Sequence, residues 1–92
     1  MTGSRSVRVR ISGDVQGVGF RAWTERRAVA LGLFGWVRNL DNGDVEAVFL
    51  GPAAAVDTML VACREGPRHA RVGTVEVLGE GEAGLRSFTV RY

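Results

Sequence analysis

The chain has no lysine; all twelve of its basic residues are arginine, a bias better attributed to genome composition than to function. It has one cysteine, Cys63, and one histidine, His69. A single thiol excludes an internal disulfide, and without a second cysteine or histidine no ligand set for structural zinc exists. Long apolar runs are also missing, so a membrane span is not indicated. Residues Met1 to Ser6 hold no apolar leader ahead of the first strand-like run, and a cytoplasmic location is the expectation. The formal charge of +2 is too small to argue for nucleic acid, because duplex binders concentrate basic residues on one face and here acids lie between them. The positive balance does suit a small anionic ligand.

What is present is enough for one domain. At 92 residues a second core is excluded, and residues 1–92 are read as a single unit with a flexible lead over residues 1–5. Val7 to Ser12 alternates apolar and polar, which predicts a strand with Val7, Val9 and Ile11 facing the core. Arg21 to Leu31 lacks proline and stops at Gly32, as a helix would, with Phe20, Thr24, Ala28 and Leu31 on one face. Trp36 to Leu40 and Asp44 to Leu50 are strand-like, and Asn42-Gly43 between them is a strong hairpin signal. Pro52 opens a second helix at a first-turn position, with Val56, Met59, Leu60 and Cys63 as its apolar stripe, and Gly66-Pro67 ends it. Strands follow over Arg71 to Leu78 and Ser87 to Tyr92. The order β-α-β-β-α-β plus a terminal strand predicts an α+β, ferredoxin-like split β-α-β sandwich, an antiparallel sheet with both helices on one face.

Between the first strand and the first helix lies Gly13-Asp14-Val15-Gln16-Gly17-Val18-Gly19-Phe20-Arg21. Glycines let successive backbone N–H groups point into one concavity, and the helix start adds unpaired donors and the positive end of its dipole. Arg21 adds a planar fork suited to phosphate or carboxylate oxygens. By spacing alone, a tight turn carrying a surface arginine fits equally well.

The loop motif, Gly32-Leu33, Gly35-Trp36-Val37-Arg38-Asn39 and Gly43-Asp44-Val45-Glu46 together resemble the acylphosphatases. Cys63-Arg64-Glu65-Gly66-Pro67, Ala70-Arg71-Val72 and Phe88-Thr89-Val90-Arg91-Tyr92 extend the resemblance over nearly the whole chain. It implies a metal-independent hydrolase acting on acid anhydrides, without cofactors, that splits acyl phosphates into carboxylate and inorganic phosphate. It also implies that Val15, Gln16, Gly17, Val18, Gly19, Phe20 and Arg21 bind the phosphate, with Arg21 and Asn39 as the catalytic pair. Two positions depart from the pattern. Asp14 stands where a basic or neutral residue is the rule, and Asp41-Asn42 replaces the Pro-Asp expected before Gly43.

The residues present suit that chemistry. A phosphate monoester loses a poor alkoxide and calls for an acid, a nucleophile or metal ions. An acyl phosphate loses a carboxylate whose conjugate acid has a pKa of about 4, so donors and a positioned water suffice. A thiol phosphatase needs arginine six positions after its cysteine, and the sixth residue after Cys63 is His69. Neither His69, far from both motifs, nor Cys63, on a helix face, is expected to act in catalysis. Phe20 and Trp36 are expected to be buried, and Arg8 and Arg10 to lie on the outer face of their strand. The expected protein is a monomer with a small acyl phosphate as partner, and without nucleic acid or membrane. The rival reading is a non-catalytic phosphate-binding or regulatory module on the same fold.

Overall fold

The computed structural model describes residues 3–92 and orders the chain as β1 (Ser4–Asp14), α1 (Phe20–Ala30), β2 (Phe34–Asn39), β3 (Val45–Pro52), α2 (Ala53–Glu65), β4 (Arg71–Glu80) and β5 (Phe88–Arg91). The five strands form one sheet in the order β4-β1-β3-β2-β5. Each β-α-β crossover leaves a gap between its two strands, and β3 fills the gap between β1 and β2, pairing antiparallel with both. This is the split arrangement expected from the element order.

Period-2 alternation decides the faces. Val7, Val9 and Ile11 of β1, Val37 of β2 and Val45, Ala47 and Phe49 of β3 are buried in one cluster with Phe20 and Ala28 of α1 and Val56, Met59 and Cys63 of α2. Leu31 and Leu60, expected on the same helix stripes, are half-buried at the margin. The end of α1 follows from its sequence: Gly32 N–H donates to the Val29 carbonyl and Leu33 N–H to the Ala28 carbonyl, the paired closure that a left-handed glycine permits. Removing a fully buried ring such as Phe20 from this core would cost about 3–5 kcal/mol.

The outer face is charged and ordered. Glu46 accepts from Arg38 Nε at 2.8 Å, and Arg8 lies 3.9 Å from the same carboxylate. Arg10 spans Glu76 at 2.7 Å and Asp44 at 3.7 Å. Trp36 is buried, as its motif suggested, but on this face rather than under the helices. Its Nε1 donates to Glu82 at 2.7 Å, and the Arg91 and Arg38 guanidiniums lie 4.4 and 5.4 Å from ring centroids of the indole.

Four details correct the sequence reading. Ser4 and Arg5, placed in a flexible lead, belong to β1 and pair with Pro52 and Gly51, because β3 is long enough to offer them a ladder; residues 1 and 2 lie outside the described residues. The sheet is not wholly antiparallel, since β5 runs parallel to β2. The link from β4 crosses the outer face, held by Gly81 N–H to the Ser6 carbonyl and Ser6 Oγ to the Glu82 carbonyl, and delivers β5 to the opposite edge. The β2–β3 turn is wider than a two-residue hairpin: Leu40 N–H donates to Asp44 O, and Asn42 acts by accepting Asp44 N–H on Oδ1 at 2.9 Å, not by a positive φ. Pro52 is the last residue of β3 and the cap of α2 rather than its first helical residue.

Candidate active site

The loop Val15–Gly19 joins β1 to α1 at one end of the sheet. Gly17 and Gly19 have φ of +75° and +77°, a conformation that costs other residues about 1–2 kcal/mol. Their left-handed turns aim the chain so that Gly19 caps α1 with no side chain over the helix end, and the first helical turn carries no acidic residue. The first intrahelical bond runs from Trp23 N–H to Gly19 O, so the preceding amides of Phe20, Arg21 and Ala22 are the helix's orphan donors. The strand, the glycines and the missing cap together create a donor-rich concavity.

That concavity is a cavity of about 230 Å³ lined by Val15, Gly17, Gly19, Phe20, Arg21, Ala22, Glu25, Asn39, Val90 and Tyr92. The loop and Asn39, separated by most of α1 and β2 in sequence, therefore share one space. They meet because β1 and β2 point the same way in the sheet and finish at the same end of it. Arg21 is half-buried and held from two sides: Nη1 donates to the Arg91 carbonyl at 3.2 Å, and the guanidinium lies 4.5 Å from the Tyr92 ring centroid. One carbonyl uses one of five guanidinium N–H groups, leaving the rest of the fork for a ligand.

Not every residue assigned to the loop faces the cavity. Val18 packs against the hydrophobic core. The Gln16 side chain turns away to the β2–β3 turn, where Nε2 donates to Leu40 O at 2.7 Å and Asp44 O at 2.8 Å; the side chain braces the loop. Asp14 is exposed, opposite Arg71 in the β1–β4 ladder, and is not a wall of the cavity. His69 is exposed in the turn after α2. Burial raises the Cys63 thiol pKa to about 12, which keeps it protonated and unreactive in neutral solution. Among the described residues no group of three His, Cys, Asp or Glu side chains converges as a metal cage would require.

The cavity also has walls that sequence reasoning missed. Glu25 lies one helical turn beyond Arg21, a spacing from which a shared face is readable. Val90 and Tyr92 were not readable in that way, because their place depends on β5 pairing with β2.

The family model for acylphosphatase matches residues 7–90. The chain belongs to the acylphosphatase family. A protein of Rubrobacter xylanophilus named acylphosphatase is 56% identical over 89 residues, spanning 96% of this chain and 81% of its own. One of Haloarcula marismortui with the same name is 52% identical over 84 residues, covering 91% of this chain and 92% of the relative. Among solved structures, an acylphosphatase from Coxiella burnetii superposes with a TM-score of 0.91 at 36% identity, over 96% of this chain and 93% of that one. The ferredoxin-like fold reached from periodicity is thus shared with family members of known structure.

Proposed function

We propose that this acylphosphatase-family chain hydrolyses the carboxyl–phosphate bond of acyl phosphates by holding the phosphoryl group in the Val15 to Arg21 loop. The observation that carries the reading is the shared cavity of Arg21, the uncapped α1 N-terminus and Asn39. Phosphoryl transfer through a loose transition state is catalysed mainly by positioning and by stabilising charge on the equatorial oxygens. Backbone N–H groups and the Arg21 fork supply that stabilisation without a metal ion. Asn39, with one acceptor and two donors, orients the attacking water. An amide is too weak a base to take the water's proton, so a phosphoryl oxygen accepts it as the P–O bond to the carboxylate breaks.

The protein works as a cytoplasmic monomer on a small substrate. Among the described residues no helix is long and apolar enough to cross a membrane. The outer sheet face, where a single-stranded nucleic acid would stack, has its one tryptophan covered and Arg8, Arg10 and Arg38 paired with carboxylates, which supports the absence of a nucleic-acid partner.

The test is hydrolysis of acetyl phosphate in excess chelator by wild type, Arg21→Ala and Asn39→Ala. Loss of one preorganised donor typically costs on the order of a hundred- to a thousandfold in rate, and each variant should fall by about that factor while remaining folded. Undiminished turnover by Asn39→Ala would remove it from the mechanism. Phosphate binding by wild type without turnover would replace the enzyme by a phosphate-binding module.

A further inference from the structure

The phosphate loop and the strand end that carries Asn39 lie at the start and the finish of one crossover, β1-α1-β2, and one side chain ties them together. Gln16 Nε2 donates both of its protons across the fold, one to Leu40 O at 2.7 Å and one to Asp44 O at 2.8 Å. Those carbonyls form the mouth of the β2–β3 turn, which is also closed by Leu40 N–H to Asp44 O at 2.8 Å and Gly43 N–H to Leu40 O at 3.2 Å. Leu40 follows Asn39 directly. The side-chain amide of Gln16 is therefore bonded to the carbonyl of the residue that follows the one proposed to orient water, while its own backbone belongs to the loop proposed to hold phosphate. Both bonds are partly buried, and without them each carbonyl keeps only its one backbone donor from within the turn, so the turn loses its tie to the loop.

We propose that Gln16 is a positioning residue that fixes the distance between the phosphate cradle and the Asn39 amide, acting on turnover without touching the substrate. This rests on the functional reading above. The chemistry favours glutamine here: two divergent carbonyls need two donors on one atom, which the amide nitrogen supplies and a carboxylate or hydroxyl does not. A carboxylate in the same place would set negative charge against two carbonyl dipoles. The reach also fits, because the side chain starts in a loop whose backbone amides are needed elsewhere.

The experiment compares wild type with Gln16→Met, which keeps length but has no donor, and with Gln16→Glu, which keeps shape and polarity should the methionine variant fold poorly. Displacing a reacting group by about 1 Å can cost a hundredfold, and kcat for acetyl phosphate should fall on the order of ten- to a hundredfold. The competitive inhibition constant of inorganic phosphate should stay within about threefold, since the cradle's own donors remain. In an Asn39→Ala background the same change should cost less than about twofold, because residues that act through one another are non-additive. An unchanged kcat, a loss of phosphate affinity as large as the loss of kcat, or full additivity with Asn39→Ala would each overturn the proposal.

A second readout does not depend on turnover. The side-chain amide resonances of Asn39 should shift or broaden in Gln16→Met, and unmoved resonances would overturn the coupling. If wild type fails to hydrolyse acetyl phosphate, the functional reading falls, and the resonances still decide whether Gln16 sets the position of Asn39.

Discussion

The two halves of the sheet contain the same unit, a strand running into a helix, with different outcomes. At the first junction five residues, Val15–Gly19, separate β1 from α1, two of them left-handed glycines, and the helix opens with Arg21 toward a cavity. At the second, Pro52 is at once the end of β3 and the cap of α2, and the helix opens with three alanines. The first amide of α2 is already used, Ala53 N–H donating to Gly3 O at 3.0 Å, and Arg5 ties Asp57 of α2 back to β1 at 2.6 Å. Both helices have the same dipole and the same lack of acid in the first turn. A helix N-terminus thus becomes an anion site only where the chain gives it room and a cation, and otherwise remains a joint.

The largest break in that contrast is removal of the cation. Arg21→Ala should lower the rate by two to three orders of magnitude, about 2.7–4 kcal/mol, measured by steady-state hydrolysis. Adding Ala54→Arg, at the matching second helical position of α2, should restore none of it and change stability by less than about 0.5 kcal/mol. Recovery of activity would show that charge near a helix start is sufficient and that the loop is incidental. Next in size is ligand linkage. Inorganic phosphate at a hundred times its dissociation constant should stabilise wild type by about 2.7 kcal/mol, seen as a raised melting temperature, and Arg21→Ala should respond much less.

Smaller still is a pair of glycine substitutions that separates room from packing. Gly19→Ala forces a side chain into a φ of +77° with nothing within 4 Å of the new methyl. It should cost about 1–2 kcal/mol by backbone strain and disturb phosphate affinity with it. Gly51→Ala meets Leu33 Cδ2 at 2.6 Å and should cost about 1–3 kcal/mol by overpacking, with activity per folded molecule unchanged. Denaturant melts paired with kinetics distinguish the two, and equal kinetic effects would abolish the contrast between site and joint.

Local signals account for what was readable beforehand. The alternation Val7, Val9, Ile11 and the helical spacing of Val56, Met59 and Cys63 report burial directly, since each residue's face follows from its own element's period. Gly32 marked the end of α1 because left-handed closure needs few other residues. The shared cavity of Arg21 and Asn39 was accessible through resemblance and then through topology. What could not be read depended on long-range partners: the parallel seat of β5, Tyr92 beside Arg21, the pairing of Ser4 with Pro52 and the turn of the Gln16 side chain toward Leu40. Asn42 marks a turn in the sequence without disclosing its means, because a side-chain bond to Asp44 N–H and a positive φ leave the same trace.

The smallest predicted effect lies in the packing half. Cys63 is the only thiol and faces the core from α2, where desolvation raises its pKa from 9.0 to about 12. Because the folded pKa is raised, the native state keeps the proton over a range in which the unfolded chain releases it. The stabilising contribution is complete below about pH 9 and is lost as pH rises toward 12. Between pH 8 and 10 the unfolding free energy should fall by about 1.4 kcal/mol from this group, and in Cys63→Ala that part of the slope should vanish on top of a constant packing loss. The native thiol should react with a disulfide reagent at pH 8 only as fast as the protein opens, whereas addition of urea should release it. A fast native reaction would mean that the underside of α2 is accessible, and the second crossover would then hold reactive chemistry rather than packing alone.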